Sequence, residues 1–263
     1  MLGKLLKYDL KWVYKVVVVF YILSFVFSAI GRGLSLIENS VIFNVITQIA
    51  FGISISMMVS SLVNCLMRLW ARFIKNIYKD ESYLTHTLPV EKKTIYASKV
   101  ISAIICIFTT VLVIITCLFI CYYSEANIQT LKSILELTAS TYNTTVLKLL
   151  LLISILLFLE IIFIVLIGYV GIILGYKANQ NKMARTLIIS FGLYLLTQAI
   201  TIGIIFVFGL FNSNIMNLLN TTEIVDINAI KSLMYMSIAT YIIYILFYYV
   251  LGEKQIKKGV NVD

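Results

Sequence analysis

NIYKDESYLTHTLPVEKKTIYASK, residues 76–99, is the longest charged interruption in an otherwise apolar chain of 263 residues. It holds the only proline, Pro89, and the only histidine, His86. Residues 41–67 before it carry no charge at all, and residues 100–122 after it are equally apolar. Each flank is long enough to cross about 30 Å of hydrocarbon at about 1.5 Å per residue. The stretch therefore reads as a polar loop hung between two bilayer-spanning helices, and the rest of the chain is read outward from it.

The same apolar signal recurs at 13–31, 149–175, 186–211 and 232–251, which gives six spans. Hydrophobic residues make up 61% of the chain and charged residues 13%. Soluble domains run near 45–50% and about 25%, so the excess apolar surface has to face lipid. The expectation is an all-α membrane protein, one transmembrane domain over residues 1–263, with the loop at 68–99. The second and fourth spans are the longest and should tilt or project beyond the bilayer.

Residues 1–12, MLGKLLKYDLKW, read as a short amphipathic helix. Leu2, Leu5 and Leu6 lead to Trp12 and Val13 on one side, while Lys4, Lys7 and Lys11 lie on the other. Such a helix is expected in the headgroup layer, its lysines on anionic lipid and Trp12 at the interface. The apolar run that follows is too long for a signal peptide and no small-residue cleavage site follows it, so the first span is expected to stay.

Lysine and arginine set the orientation. The N-terminus carries four (Lys4, Lys7, Lys11, Lys15) and the loop after the second span seven (Arg68, Arg72, Lys75, Lys79, Lys92, Lys93, Lys99). The loop after the fourth span adds Lys177, Lys182 and Arg185, and the C-terminal tail adds Lys254, Lys257 and Lys258. Only Arg32, Lys132, Lys148 and Lys231 fall on the other side, so both termini are expected in the cytoplasm of a multi-pass cell-membrane protein. This asymmetry also accounts for the net charge of +9, which argues against nucleic acid as a partner. Of the outer segments, 123–148 has Ile128, Leu131, Ile134 and Leu135 spaced as one face of an interfacial helix. Residues 212–231 are rich in Asn and Thr and carry Glu223 and Asp226.

Few residues carry chemistry. There is no GxxxxGK[ST] loop to cradle phosphates, so no ATP site of that kind, and a single histidine excludes a His-based metal cluster. The four cysteines (Cys65, Cys106, Cys117, Cys121) form no CxxC pair and read as small hydrophobes. No catalytic residue, cofactor or metal site is expected in this chain. Glu160 is the one carboxylate midway along a span, and burying it requires a partner, a proton or water. In the second span Asn44, Gln48, Gly52, Ser56, Ser60 and Asn64 recur every four residues, and the fifth span repeats the pattern with Ser190, Tyr194 and Gln198 beside Thr197 and Thr201. Such rows serve close helix crossing and interhelical hydrogen bonds, or else line a polar path for a solute. Tyr241, Tyr244 and Tyr248 share one face of the sixth span as packing groups, and Gly171 and Gly175 form a GxxxG in the fourth.

Within the loop, RFIKNIYK (72–79) continues the second helix past the bilayer and Asp80-Glu81-Ser82 breaks it. Tyr83, Leu84 and Leu88 then stand exposed between charges, a knob suited to a partner's groove. His86 reads as solvated or partner-facing. Pro89 is expected at a helix start, with Glu91 in the first turn.

KDESYLTHTLPVEKKTIYASKVISA, from Lys79 to Ala103, resembles the first cytosolic loop of type-2 ABC exporter permeases of Gram-positive bacteria. There an acid-rich turn and a Y-L-t-x-T-L-P-v run precede a lysine-containing entry to the third span, matched by Tyr83, Leu84, Thr85, Thr87, Leu88, Pro89 and Lys99. The resemblance implies two six-helix subunits that pair, identical or paralogous. It also implies a coupling helix (Tyr83, Leu84, Thr85, His86, Leu88, Pro89) that docks on a separate ATP-binding subunit, which carries the ATP and magnesium. It further places the second and fifth spans beside the path between subunits, which would make Asn44, Gln48, Ser56, Ser60, Asn64, Tyr194 and Gln198 path-lining. Cargo is left open among peptides, antibiotics, lipids and ions. Two alternatives stand beside this one: a non-transporting immunity or sensor module that binds a peptide, and an ion-coupled carrier centred on Glu160.

Overall fold

The computed structural model describes residues 1–37, 41–178, 180–211, 215–216 and 227–258, without the side chains of residues 227 and 228. Among these, the regular elements are all helices, with short turns in the described connections: α1 (Leu2–Ser35), α2 (Val41–Ile77), α3 (Ser82–Thr87), α4 (Lys92–Tyr122), α5 (Glu125–Thr141), α6 (Val146–Gly175), α7 (Lys182–Phe211) and α8 (Ile227–Lys257). Six of them are long and apolar enough to cross a membrane, all except α3 and α5, which matches the six spans read from the sequence. Glu223 and Asp226 lie outside the described residues.

The helices outrun their apolar runs. An α-helix satisfies its own backbone polar groups whether lipid or water surrounds it, so the end of the greasy stretch is no reason to stop. Residues 1–12 accordingly form no separate interfacial helix. They are the first turns of α1, which continues unbroken for 34 residues, about 51 Å at 1.5 Å per residue. Likewise α2 runs on past the charge-free stretch to Ile77, as its apolar spacing predicted.

The chain divides into two compact units, with the boundary inside α5. In the first, α1 packs along α2 and α4, and α2 packs on α3 and α4. The buried face of α1 carries Asp9, Val13, Val17, Tyr21, Ser24 and Ser28. Polar pairs hold it to its neighbours: Tyr14 Oη to Thr109 Oγ1 at 2.6 Å, Tyr21 Oη to Thr110 Oγ1 at 2.7 Å, and Ser28 Oγ to Ser54 Oγ at 2.6 Å. In a helix assembly facing lipid, such hydrogen bonds and small-residue contacts replace the hydrophobic drive that water would supply. All four cysteines are buried free thiols, as expected. Cys117 and Cys121 pack with Met58, and Cys121 Sγ donates to Ser28 Oγ at 3.3 Å.

In the second unit, α6 packs on both α7 and α8. A Cβ added at Gly171 would lie 3.0 Å from Ser190 Cα and one at Gly175 2.6 Å from Thr186 Cα, so the GxxxG expected to serve packing is where α7 rests. On the other side Phe163 is surrounded by Tyr241, Tyr244 and Tyr248, with ring centroids 5.6, 5.6 and 5.9 Å away. Helix α5 carries the apolar face read for 123–148, but Ile128, Leu131 and Ile134 are exposed and Ala139 alone is buried.

Candidate docking site

The charged loop is built on a buried ion network in the first unit. Asp9 lies on α1 in phase with Leu5, Val13 and Val17, so the turn of the helix carries its carboxylate inward, 2% exposed. Its Oδ1 accepts from Arg72 Nε of α2 at 2.9 Å and from Lys99 Nζ of α4 at 2.6 Å. Arg72 Nη1 in turn donates to Glu81 Oε2 at 2.5 Å, and Asn76 Nδ2 donates to the same oxygen at 3.1 Å. Two acids and two bases thus balance, and the network ties α1, α2 and α4 to the turn that precedes α3. Beside it, the Arg68 guanidinium stacks 3.7 Å above the Trp12 ring and donates from Nη2 to the Trp12 carbonyl at 3.2 Å.

The sequence pointed to only part of this. In the sequence Arg72 and Lys99 count toward the charge asymmetry and Glu81 toward the helix break, while Asp9 stands without a role among the lysines of the N-terminal stretch. Its phase was the available signal: an acid on the buried stripe of a helix needs a cation from elsewhere.

Glu81 governs the pH response of this turn. Burial raises its carboxyl pKa, but Arg72, the Asn76 amide and Lys75 outweigh burial and hold it below the ordinary carboxylate value. A depressed folded-state pKa means stability that is present above the unfolded value and lost as pH falls through the folded one. Thermal unfolding of the detergent-solubilised chain, followed from about pH 6 down to about pH 3, is expected to show a larger loss for the wild type than for Glu81→Gln. Equal loss would mean that Glu81 contributes nothing to the acid response.

The knob itself stands out from this base. Tyr83 is 75% exposed and Leu84 66%, with Leu88 and Pro89 also exposed. Thr85 is buried and donates to the Glu81 carbonyl at 2.9 Å, so it anchors the helix and is no contact residue. His86 is half-buried, its Nε2 3.2 Å from the Ile77 carbonyl. Pro89 does not start a helix. The residue before a proline avoids the α region, and Leu88 adopts φ −64°, ψ 137°, which ends α3. Val90 N–H donates to the Leu88 carbonyl at 2.7 Å across a tight turn, and α4 begins at Lys92 with Glu91 as its N-cap and no side-chain capping bond.

The polar rows fall apart into two kinds. On α2, Asn44, Gln48, Gly52 and Ser56 are exposed, and Ser60 and Asn64 half-buried. Ser56 Oγ and Asn64 Nδ2 donate back to the carbonyls of Gly52 and Ser60, within their own helix. On α7, Thr197 accepts from Tyr248 Oη at 2.8 Å and Thr201 from Tyr244 Oη at 3.0 Å, which makes them interhelical glue. Tyr194 is exposed, and Gln198 borders a cavity of about 60 Å³ with Thr201, Tyr241 and Tyr244. The two rows belong to different units. Glu160 is half-buried on α6 and makes no ion pair with a described residue.

Six long apolar helices, exposed apolar side chains along them and hydroxyl-rich helix contacts define the class: a multi-pass, all-α membrane protein. No family model, curated protein or solved structure matches this chain. No group of three or more His, Cys, Asp or Glu side chains that could hold a metal ion is found among the described residues.

Proposed function

We propose that this chain is the membrane permease subunit of an ATP-driven exporter, which takes its power stroke from a separate ATP-binding subunit docked on α3. The single observation that carries the reading is the exposed Tyr83–Leu84–Leu88 knob set directly on the Asp9–Arg72–Glu81–Lys99 network. A push on α3 acts on Glu81 and so on three of the long helices at once. The network supplies what a purely solvated loop would lack, a stiff connection from the cytosolic surface to the helices. In this reading both termini are cytoplasmic, the chain pairs with a second permease subunit, and the exposed polar face of α2 borders the path. Peptides, antibiotics, lipids and ions all remain open as cargo.

The test is affinity purification of the full-length chain from its own membranes in mild detergent. A protein bearing a phosphate-binding GxxxxGK[ST] loop and ATPase activity is expected to co-purify with the wild type. Leu84→Asp, which places a charge on the knob without touching the network, should reduce that recovery by about tenfold or more, as loss of a central apolar anchor does. Its thermal unfolding should match the wild type. Failure of any such ATPase to co-purify, or full recovery with Leu84→Asp, refutes the reading.

A further inference from the structure

A groove of about 610 Å³ opens between the first turns of α1 and α3, next to the ion network. Its α1 side presents Leu5, Tyr8, Asp9, Lys11, Trp12 and Lys15. We infer that this groove holds the headgroup of an anionic glycerophospholipid with a free hydroxyl, of the phosphatidylglycerol kind. The inference needs only that the chain spans a membrane, and stands or falls apart from the exporter reading.

Three observations select that ligand. The first is charge. Asp9 and Glu81 are already balanced by Arg72 and Lys99, whereas Lys11 and Lys15 are exposed and form no ion pair with a described residue. The groove therefore carries two uncompensated cations on successive turns, spaced to bracket one phosphodiester.

The second is continuity with the lipid-facing surface. Tyr8, Lys11, Lys15, Val19, Ile22 and Val26 follow the i, i+3, i+4, i+7 pattern and so form one stripe along α1. Val19, Ile22 and Val26 are 52, 56 and 44% exposed, and Ile30 beyond them 46%. From Val19 to Ile30 is about 16 Å along the axis, close to one leaflet of a hydrocarbon core of about 30 Å. An acyl chain laid on that stripe brings its phosphate to Lys15 and Lys11 and its headgroup into the groove. A protein docked on Leu84 and Leu88, at the α3 edge of the groove, would leave that apolar extension uncovered.

The third is an acceptor without a donor. Asp9 Oδ1 takes both cations, while Oδ2 is fully buried and receives no hydrogen bond from any described residue. A buried carboxylate oxygen is costly to leave unmet, and a headgroup hydroxyl is a donor of the right kind. Choline has no N–H or O–H to offer, and ethanolamine offers an ammonium but leaves the lysine charge uncancelled.

The experiment is native mass spectrometry of the full-length chain taken from nanodiscs of phosphatidylcholine doped with phosphatidylglycerol or phosphatidylethanolamine. Wild-type protein is expected to retain one phosphatidylglycerol, with phosphatidylethanolamine held less well and phosphatidylcholine least. Lys11→Gln/Lys15→Gln should weaken retention by about twenty-five-fold, a factor of roughly five for each lysine near an anionic lipid surface. Both lysines are exposed, so the fold survives the change. Lys92→Gln/Lys93→Gln removes equal charge at the start of α4, outside the groove, and should leave retention unchanged. Equal retention of phosphatidylcholine, equal loss in the two double variants, or no loss in the first would overturn the site.

Discussion

Asp9→Ala is expected to cost about 3–5 kcal/mol of stability, because it leaves Arg72 and Lys99 buried beside one another without their shared carboxylate. Removing one partner from a buried pair is far worse than removing both. Hence Asp9→Ala/Lys99→Met should recover much of the loss, since Arg72 keeps Glu81 while the surplus cation is gone. The four buried thiols, Cys65, Cys106, Cys117 and Cys121, supply the measurement: a thiol-reactive dye reports unfolding in detergent as they become accessible. A midpoint for Asp9→Ala equal to the wild type would mean that the network holds nothing together. A double variant worse than the single would mean that Lys99 is stabilised chiefly by other groups.

The second large effect is steric. A Cβ at residue 175 would lie 2.6 Å from both the backbone N and the Cα of Thr186. Backbone cannot rotate aside as a side chain can, so α7 has to move off α6. Gly175→Ala is expected to cost about 1–3 kcal/mol by overpacking, although alanine is the better helix former. At Gly192 and Gly203 a Cβ meets nothing within 4 Å, and alanine there should be neutral or stabilising by about 0.5–1 kcal/mol. Because the four thiols all lie in the first unit, thermal unfolding in detergent followed by circular dichroism is the measurement that separates them. Loss at Gly192 equal to that at Gly175 would show that glycine matters here for backbone freedom and not for contact.

Much of this architecture is legible from apolar run length, because some twenty residues without charge leave a chain little choice but a bilayer-spanning helix. What that signal misses are the helical turns outside the hydrocarbon, such as the start of α1 at Leu2 and of α4 at Lys92. Hydropathy sees the solvent boundary, whereas the helix obeys hydrogen bonding and ignores it. The GxxxG at Gly171 was readable as a packing surface, but its partner, Ser190 on α7, was not. Asp9 and Lys99 show the limit most plainly. They stand 90 residues apart in the chain, and only tertiary packing can pair them. The exposure of Tyr83 and Leu84 follows from local turn chemistry, whereas Thr85 joins the coupling set only through the resemblance, and its inward hydrogen bond to the Glu81 carbonyl leaves no mark on composition.

The absence of any break in α1 between Leu2 and Ser35 makes it a lever without a knuckle. A tilt of about five degrees imposed where Asp9 is gripped would sweep the Ser35 end sideways by roughly 3 Å. A hinged N-terminal segment would absorb such a tilt locally. This rod delivers it to the opposite face of the bilayer, so slight motion of the gripped end becomes a shift of side-chain size at the other.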